Sequence, residues 1–202
     1  MIIQQQDIQA YEQRYRTAFV NSLAGFRQAV LVGTRSSEGQ SNLAIFNSLI
    51  HLGANPALFG LISRPDTVPR DTLQNMIDTK SYTLNFISSE HMAAAHRTSA
   101  RYPKHVSEFD AVGFTEETVA GYGAPFVSEA MVKIAMRLEE TIPIVLNGTV
   151  LIIGSIQHVQ IHDDLVGDDG FVDLSSAGVL VSQGLDAYFT TNALGRLAYA
   201  KV

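Results

Sequence analysis

Cysteine is absent from the 202-residue sequence, which excludes disulfides, thiolate nucleophiles, zinc–sulfur sites and iron–sulfur clusters. The G-x-S-x-G motif that presents a nucleophilic serine in many hydrolases is absent as well. No uninterrupted apolar stretch reaches the roughly 18 residues that a membrane-spanning helix needs. Thiol chemistry, serine hydrolysis and a membrane-spanning helix therefore have no support in the sequence.

Positive charge is scarce. The chain has 14 lysine and arginine residues against 20 aspartate and glutamate residues, which gives a formal net charge of −6 at pH 7. We therefore expect no nucleic-acid surface and no anionic-membrane surface, although a local pair of arginines can still bind a small anion. The stretch MIIQQQDIQAYEQRYR lacks the charged-then-apolar layout of a signal peptide, so we expect a cytoplasmic protein.

Motifs for metals and dinucleotides are also missing. His158 and His162 are four residues apart, but on a strand this separation is about 13 Å, too far to chelate one ion. The stretch HDDLVGDDG (162–170) lacks the alternating spacing of a calcium loop, and GYGAP (121–125) lacks the third glycine of a dinucleotide fingerprint. We expect no metal site and no Rossmann-type domain.

The apolar pattern predicts more strands than helices. Apolar residues at three- and four-residue spacing between Ile8 and Phe19 predict an amphipathic helix that ends at Gly25. Asn147-Gly148 predicts a hairpin between two long strands. Two further helices are expected, one opened by Asp71 as the N-cap and one over 88–97. Strands are predicted over 29–34, 41–49, 57–63, 82–88, 131–140, 149–163, 171–174 and 185–191.

Helices do not alternate regularly with these strands, which argues against a doubly wound parallel sheet. The pattern favours a mainly β fold, an antiparallel sheet or barrel with a few α-helices flanking it. The length fits one domain over residues 1–202, with residues 1–25 forming an N-terminal helix packed on the barrel.

The connector RPDTVPRDT (64–72) concentrates basic and hydroxyl residues just before a predicted helix. Arg64 and Arg70 offer forked donors for a phosphate, and Thr67 and Thr72 offer hydroxyls. The backbone amides that open the helix add partial positive charge. Asp71 would repel an anion and suits a helix cap better, with Gln74 completing a capping box. The alternative is a solvated loop whose arginines pair with aspartates.

The stretch SNLAIFNSL (41–49) is the second candidate. On a strand, Asn42, Ala44, Phe46 and Ser48 share one face and Asn47 lies on the other. Small and amide-bearing residues on such a strand allow close approach of a flat ring and hydrogen bonding to its polar edge. The alternative is an edge strand with ordinary turn-forming asparagines.

The stretch HRTSARYP (96–103) is the third candidate, because it combines a histidine, two arginines, two hydroxyls and a Tyr-Pro step. It opens a polar segment that is long for a connector, and long ordered loops usually carry function. We interpret it as a loop that covers a cofactor. The alternative is a helix C-terminus with solvated basic residues.

Taken in order, these segments resemble the flavin-reductase-like family of FMN-binding split barrels. The resemblance covers about residues 20–195. It depends on SNLAIFNSL, on NPALFGLISRPDTVPRDTLQNMIDTKSYTLNFIS, on TSARYPKHVSEFDAVGFT and on the late strand IIGSIQHVQIHDD. The sequence departs from the commoner family pattern at Ile45, where many members have proline, and at His96-Arg97, where asparagine is frequent.

The resemblance implies a homodimeric, six-stranded antiparallel split barrel with flanking helices, which binds FMN non-covalently near the dimer interface. It implies an isoalloxazine and ribityl site along the SNLAIFNSL strand, a phosphate site where the connector meets the helix, a strand whose backbone approaches the flavin, and a covering loop. The residues it places there are Asn42, Ala44, Phe46, Asn47 and Ser48; Arg64, Arg70, Asp71 and Thr72; Asn85; and Ser99 and Tyr102. Thr67 joins the phosphate group from the connector alone.

The implied activity is hydride transfer from NAD(P)H, as co-substrate, to FMN, with no catalytic residue of the protein. Arg101, Lys104 or His105 would steer the phosphates of the nicotinamide dinucleotide. Reduced flavin would feed a monooxygenase partner or another electron acceptor. Three alternatives stay open: a non-catalytic FMN-binding electron carrier reduced by a partner protein, a pyridoxamine-phosphate-oxidase-type use of the related barrel, and a flavin-free structural barrel.

Overall fold

The computed structural model describes residues 1–65, 71–103 and 105–201. Its helices are α1 (Gln5–Ala10), α2 (Gln13–Leu23), α3 (Asp71–Thr79), α4 (Met92–Arg97) and α5 (Glu108–Val112). Its strands are β1 (Arg27–Gln28), β2 (Val30–Arg35), β3 (Ser41–Phe46), β4 (Ile50–Ala54), β5 (Ala57–Ser63), β6 (Ser81–Phe86), β7 (Glu116–Glu117), β8 (Phe126–Val127), β9 (Val132–Ile144), β10 (Thr149–Ile161), β11 (Val181–Gln183) and β12 (Ala187–Phe189).

The main sheet has seven antiparallel strands in the order β3-β2-β6-β9-β10-β5-β4. Its two edge strands, β3 and β4, are joined only by residues 47–49, so the sheet must curl until its edges come close together. The hydroxyl of Ser48 fixes this corner, since it donates to the Ile62 carbonyl at 3.1 Å and accepts from the Ile62 N–H at 3.0 Å. The result is a barrel-like sheet whose two edges meet at this corner.

The expectation of six strands was wrong by one. The stretch IHLGA forms β4, which pairs with β5 through register partners such as Ile50 and Gly60. The sequence gives little sign of this strand because it is only five residues long, contains a glycine and has no continuous apolar run.

Both faces of the sheet are covered by apolar side chains. Val30 and Val32 of β2 belong to the cluster that also contains Met76 of α3, whereas Leu31 belongs to the cluster that contains Phe109 of α5. This alternation is what a strand buried on both faces requires. The sheet therefore holds α3 on one side and the α4–α5 segment on the other, with β3 between them.

The N-terminal segment forms two helices, so the expectation of a single helix was wrong. The chain is extended at Tyr11 and Glu12, where the Glu12 carboxylate accepts hydrogen bonds from the N–H groups of Arg14 and Tyr15. This is an N-cap, and it starts a new helix instead of continuing the first. Neither helix contains a buried residue.

The later part of the chain follows the expected pattern with one exception. The long hairpin of β9 and β10 turns at Asn147-Gly148, as predicted, and Gly148 has a φ of 72°. The predicted strand over 171–174 is reduced to a single bridge between Val166 and Val172. The predicted strand over 185–191 is present as β12, which pairs with β11 in a small sheet beside α2. Within the described ranges, no helix is both long and apolar enough to cross a membrane.

Candidate functional site

Two of the predicted segments meet at the beginning of α3. The side-chain amide of Asn42 on β3 donates to the Thr72 hydroxyl at 3.0 Å and to the Thr34 hydroxyl at 3.2 Å. Asn42 and Thr72 are 30 residues apart in the sequence. The strand expected to approach the ring and the helix expected to hold the phosphate are therefore in direct contact.

This contact is part of a buried polar network. The Thr34 hydroxyl accepts a second hydrogen bond from the Asn75 side chain at 3.1 Å, and Thr34, Thr72 and Asn75 are all buried. Sequence reasoning missed Thr34 and Asn75. A signal for Thr34 existed, since a hairpin turn at SSEGQ places it opposite Asn42 in register. The network fixes the distance between β3 and the first turn of α3.

A small polar cleft opens beside this network, between the β2–β3 turn, the first turn of α3 and the segment that leads into α5. Three predicted site residues, Asn42, Asp71 and Tyr102, line it together with Glu108, which the sequence did not single out. The remaining lining residues are Ser36, Gln40, Ser41, Asn75, Pro103 and Val106. The cleft thus brings together one predicted site residue from each of the three candidate segments.

Glu108 is half-buried, and its carboxylate accepts a hydrogen bond from the Leu43 N–H of β3 at 3.0 Å. Burial raises the pKa of the Glu108 carboxyl above its ordinary value; the N–H groups of Leu43 and Glu108 oppose this shift, and the nearby charge of Asp71 adds to it. The cleft therefore carries two carboxylates, one of which resists ionisation.

Strand β3 also offers backbone groups to a ligand. Within the described part of the chain it is an edge strand that pairs with β2 alone, so alternate residues direct their N–H and C=O groups away from the sheet. The Leu43 N–H is one of these groups, and it is used by Glu108. By the same alternation, Ile45 directs its backbone groups outward. An edge of this kind can pair with the donors and acceptors on the rim of a flat heterocycle.

The remaining predicted residues of this strand lie around the barrel corner. Ala44 and Phe46 are half-buried, and Phe46 packs against the apolar cluster of the barrel. The Asn47 side chain donates to the Gly184 carbonyl at 2.8 Å, in the turn between β11 and β12. Ser48 bonds to Ile62 on β5. Ser48 therefore lies at the end of β5 and Asn47 at the β11–β12 turn, and none of Phe46, Asn47 and Ser48 lines the polar cleft.

Arg64 follows directly after β5 and is exposed. Thr67 and Arg70, two of the predicted phosphate ligands, lie outside the described residues. Asp71 is the first residue of α3 and is exposed. The Gln74 side chain donates to Asp78 at 2.8 Å and does not complete a capping box, so that part of the prediction was wrong.

Asn85 lies on β6, as predicted, but its side chain is fully buried and occupied. Its amide donates to the Leu31 carbonyl at 3.2 Å and the Thr83 hydroxyl at 2.8 Å, and its carbonyl oxygen accepts from the Val127 N–H at 2.9 Å. The side chain is a link inside the protein. A contact between the flavin and the backbone at Asn85 stays a prediction.

The covering loop is only partly at the cleft. The Tyr102 ring lines the cleft, and its hydroxyl donates to the Arg97 carbonyl at 3.3 Å. The Ser99 hydroxyl donates to the His96 carbonyl at 2.7 Å and is exposed, at the end of α4. Arg101 and His105, the proposed guides for a dinucleotide, are exposed, and Lys104 lies outside the described residues.

Residues 24–175 match the family described as the flavin reductase like domain. The chain belongs to this family. A candidate flavin reductase with a split-barrel domain from Shewanella frigidimarina NCIMB 400 is 44% identical, with a TM-score of 0.95 over 99% of this chain and 100% of that chain. The flavin-reductase-like split barrel expected from the sequence is thereby confirmed, with seven strands in its main sheet.

Two more distant structures share the fold of this flavin-reductase-like chain. Nitrilotriacetate monooxygenase component B from Bacillus cereus is 19% identical, with a TM-score of 0.85 over 98% of both chains. An FMN-binding protein from Thermus thermophilus, solved with bound 1-cyclohex-2-enone, is 18% identical, with a TM-score of 0.71 over 88% of this chain and 92% of that chain.

The described residues fit a phosphorylated flavin in their chemistry. The outward backbone groups of β3 suit the polar rim of the ring, and half-buried Ala44 and Phe46 offer apolar surface next to it. Arg64, the Thr72 hydroxyl and the first amides of α3 supply donors for a phosphate. Asp71 and Glu108 do not suit an anion, and they form the one feature of the cleft that opposes it.

Proposed function

We propose that this protein binds FMN at the junction of β3 and α3 and acts as an NAD(P)H-dependent flavin reductase. The observation that carries the proposal is the hydrogen bond between Asn42 and Thr72, because it joins the two segments that the family resemblance assigns to the ring and to the phosphate. The family match supports the flavin, and the likeness to an FMN-binding protein supports the phosphorylated form.

FMN, when bound, supplies the hydride acceptor, so no acid or base of the protein is required. The chain's own residues bind and orient. The outward backbone groups of β3 would hold the ring edge, and the N–H groups among them would stabilise negative charge there. Thr72 is held by Asn42, which leaves its hydroxyl proton available to an anion's oxygen. Arg64 would add a charged donor from the end of β5.

The reduced flavin requires an electron acceptor. The likeness to a protein named as a monooxygenase component supports delivery of reduced flavin to a monooxygenase, and a metal or protein acceptor is the alternative. We also propose that two copies of the chain assemble as a homodimer and that the whole chain acts as one domain.

The flavin content of the purified protein and its oxidation of NADH or NADPH test the proposal. The purified protein is expected to be yellow, to contain up to one FMN per chain, and to oxidise NADH or NADPH when FMN is added. FMN binding without turnover of either nicotinamide would replace the reductase by an electron carrier. A colourless protein that binds neither FMN nor riboflavin would eliminate both proposals and leave a structural barrel.

The arginines provide a sharper test of the phosphate site. Replacing Arg64 and Arg70 by alanine, singly and together, is expected to weaken FMN binding about tenfold or more per residue and riboflavin binding by less than about twofold, because only FMN has the phosphate. Flavin fluorescence titration measures both affinities. Arg14→Ala, which removes an exposed arginine from α2, is the matched control. Equal losses for both flavins would place the guanidinium groups elsewhere.

A further inference from the structure

The cleft contains a carboxylate that the proposed chemistry does not use. Glu108 reaches from α5 to β3, where it accepts the Leu43 N–H at 3.0 Å, and it lines the same cleft as Asn42 and Asp71. It is therefore placed to act on the two elements that the proposed function assigns to FMN.

Among the described residues that line the cleft, the charged side chains are both carboxylates, Asp71 and Glu108. Asp71 faces Glu108 from α3, and Tyr102 faces it from the covering segment. On its own helix Asp110 is exposed, and Arg97 of α4 reaches α5 only at the Ala111 carbonyl. The β2–β3 turn contributes uncharged residues. Among the described residues, Glu108 forms no salt bridge.

We infer that Glu108 determines flavin specificity, in that its negative charge weakens binding of the phosphorylated flavin and its neutralisation strengthens it. The inference rests on the proposed function, since it requires FMN at the β3–α3 junction. The physical reason is like-charge repulsion: a phosphate monoester carries about −1.5 to −2 charges at pH 7, and at the beginning of α3 it would lie next to Asp71 and beside the cleft that also holds Glu108.

The hydrogen bond and the charge of Glu108 have separable effects. A protonated carboxyl and a glutamine amide both retain an oxygen that accepts the Leu43 N–H, so neutralisation leaves β3 anchored. Alanine removes the acceptor and the charge together. Burial and the Asp71 charge favour the neutral form of Glu108 in the folded protein, so neutralisation by protonation lies closer to neutral pH than for an exposed glutamate.

The test compares two flavins and three variants. Fluorescence titration at pH 7.5 measures the dissociation constants of FMN and riboflavin for the unaltered protein, for Glu108→Gln and for Asp110→Asn. The Asp110 variant changes net charge equally but on an exposed position of the same helix. Asp71→Asn, which neutralises the other carboxylate of the cleft, is the third variant, and thermal melting checks that each variant is folded.

We expect Glu108→Gln to bind FMN about three- to tenfold more tightly, with riboflavin affinity changed less than about twofold, and Asp71→Asn to shift the ratio in the same direction. Asp110→Asn should change neither affinity. If Glu108→Gln leaves the ratio unchanged while the unaltered protein binds FMN, the inference is wrong and the proposed function stands. If Glu108→Gln does not fold, an unchanged ratio in Asp71→Asn overturns the inference in the same way. If the unaltered protein binds neither flavin, the proposed function fails and the inference with it.

Discussion

Strand β6 carries buried polar groups on both of its faces, and the protein accommodates those of Asn85 and Tyr82 in opposite ways. The Asn85 side chain makes three hydrogen bonds, to Leu31, Thr83 and Val127. The Tyr82 hydroxyl, on the barrel side, has no hydrogen-bond partner among the described residues. Burial raises the pKa of this hydroxyl above its ordinary value, and the charge of Glu139 adds to the shift, so the group stays neutral.

The difference shows that hydrogen bonds stabilise one face of β6 and apolar packing the other. On the Asn85 face, hydrogen bonds hold the 125–127 segment against β6, since Thr83 also donates to the Pro125 carbonyl at 2.6 Å. On the Tyr82 face, apolar packing alone places the ring. A polar group is costly to remove where its partners are left buried and cheap where it has none.

The largest effect is expected at Asn85. Asn85→Ala leaves the buried Val127 N–H without its acceptor and opens a small void, so it should lower the free energy of unfolding by about 2–4 kcal/mol. Urea denaturation measures the loss. The control is Ser182→Ala, because the Ser182 hydroxyl is also buried but has no partner among the described residues. Similar losses for both variants would contradict the distinction between paired and unpaired groups.

The second prediction concerns the close contact between Gly154 of β10 and the Tyr82 hydroxyl of β6. A side chain at Gly154 would place its Cβ against the Tyr82 hydroxyl and 2.9 Å from the Arg137 carbonyl oxygen. Gly154→Ala should therefore cost about 1–3 kcal/mol of unfolding free energy through overpacking. Tyr82→Phe alone should cost less than about 0.5 kcal/mol, because the hydroxyl it removes is unpaired among the described residues.

The double variant separates the two clashes. Tyr82→Phe removes the hydroxyl but not the Arg137 carbonyl, so it should restore part of the stability that Gly154→Ala loses. Denaturation of the four proteins of this cycle gives the coupling energy. If the losses of unfolding free energy in the two single variants simply add in the double variant, the backbone shifts to admit the new methyl group. The contact between Gly154 and the Tyr82 hydroxyl would then not constrain the ring.

The same contrast explains how far the sequence predicted the molecule. Strand β5 and the β9–β10 hairpin were predicted closely because apolar runs and Asn147-Gly148 encode them locally. The sequence did not predict that the Asn85 side chain forms its hydrogen bonds inside the protein, because the segment that bonds to it, around Val127, has no clear strand pattern. The Asn42–Thr72 contact depends on how α3 packs across the sheet, which no local pattern contains.

The smallest effect on stability is expected at Glu108 of α5, whose situation is intermediate between those of Asn85 and Tyr82. Its carboxylate accepts a hydrogen bond from one N–H group, but it carries a charge that burial opposes. Its pKa is raised in the folded protein, so the folded state retains the proton to higher pH than the unfolded chain does. Stability from this group is therefore fully present below the unfolded pKa and is lost as pH rises through the folded pKa. Glu108→Gln keeps the acceptor and cannot lose a proton, so its unfolding free energy relative to the unaltered protein should rise as the pH increases above the ordinary pKa of a glutamate, about 4.3. Parallel pH profiles for the two proteins would show that the Glu108 carboxylate is as well solvated in the fold as outside it.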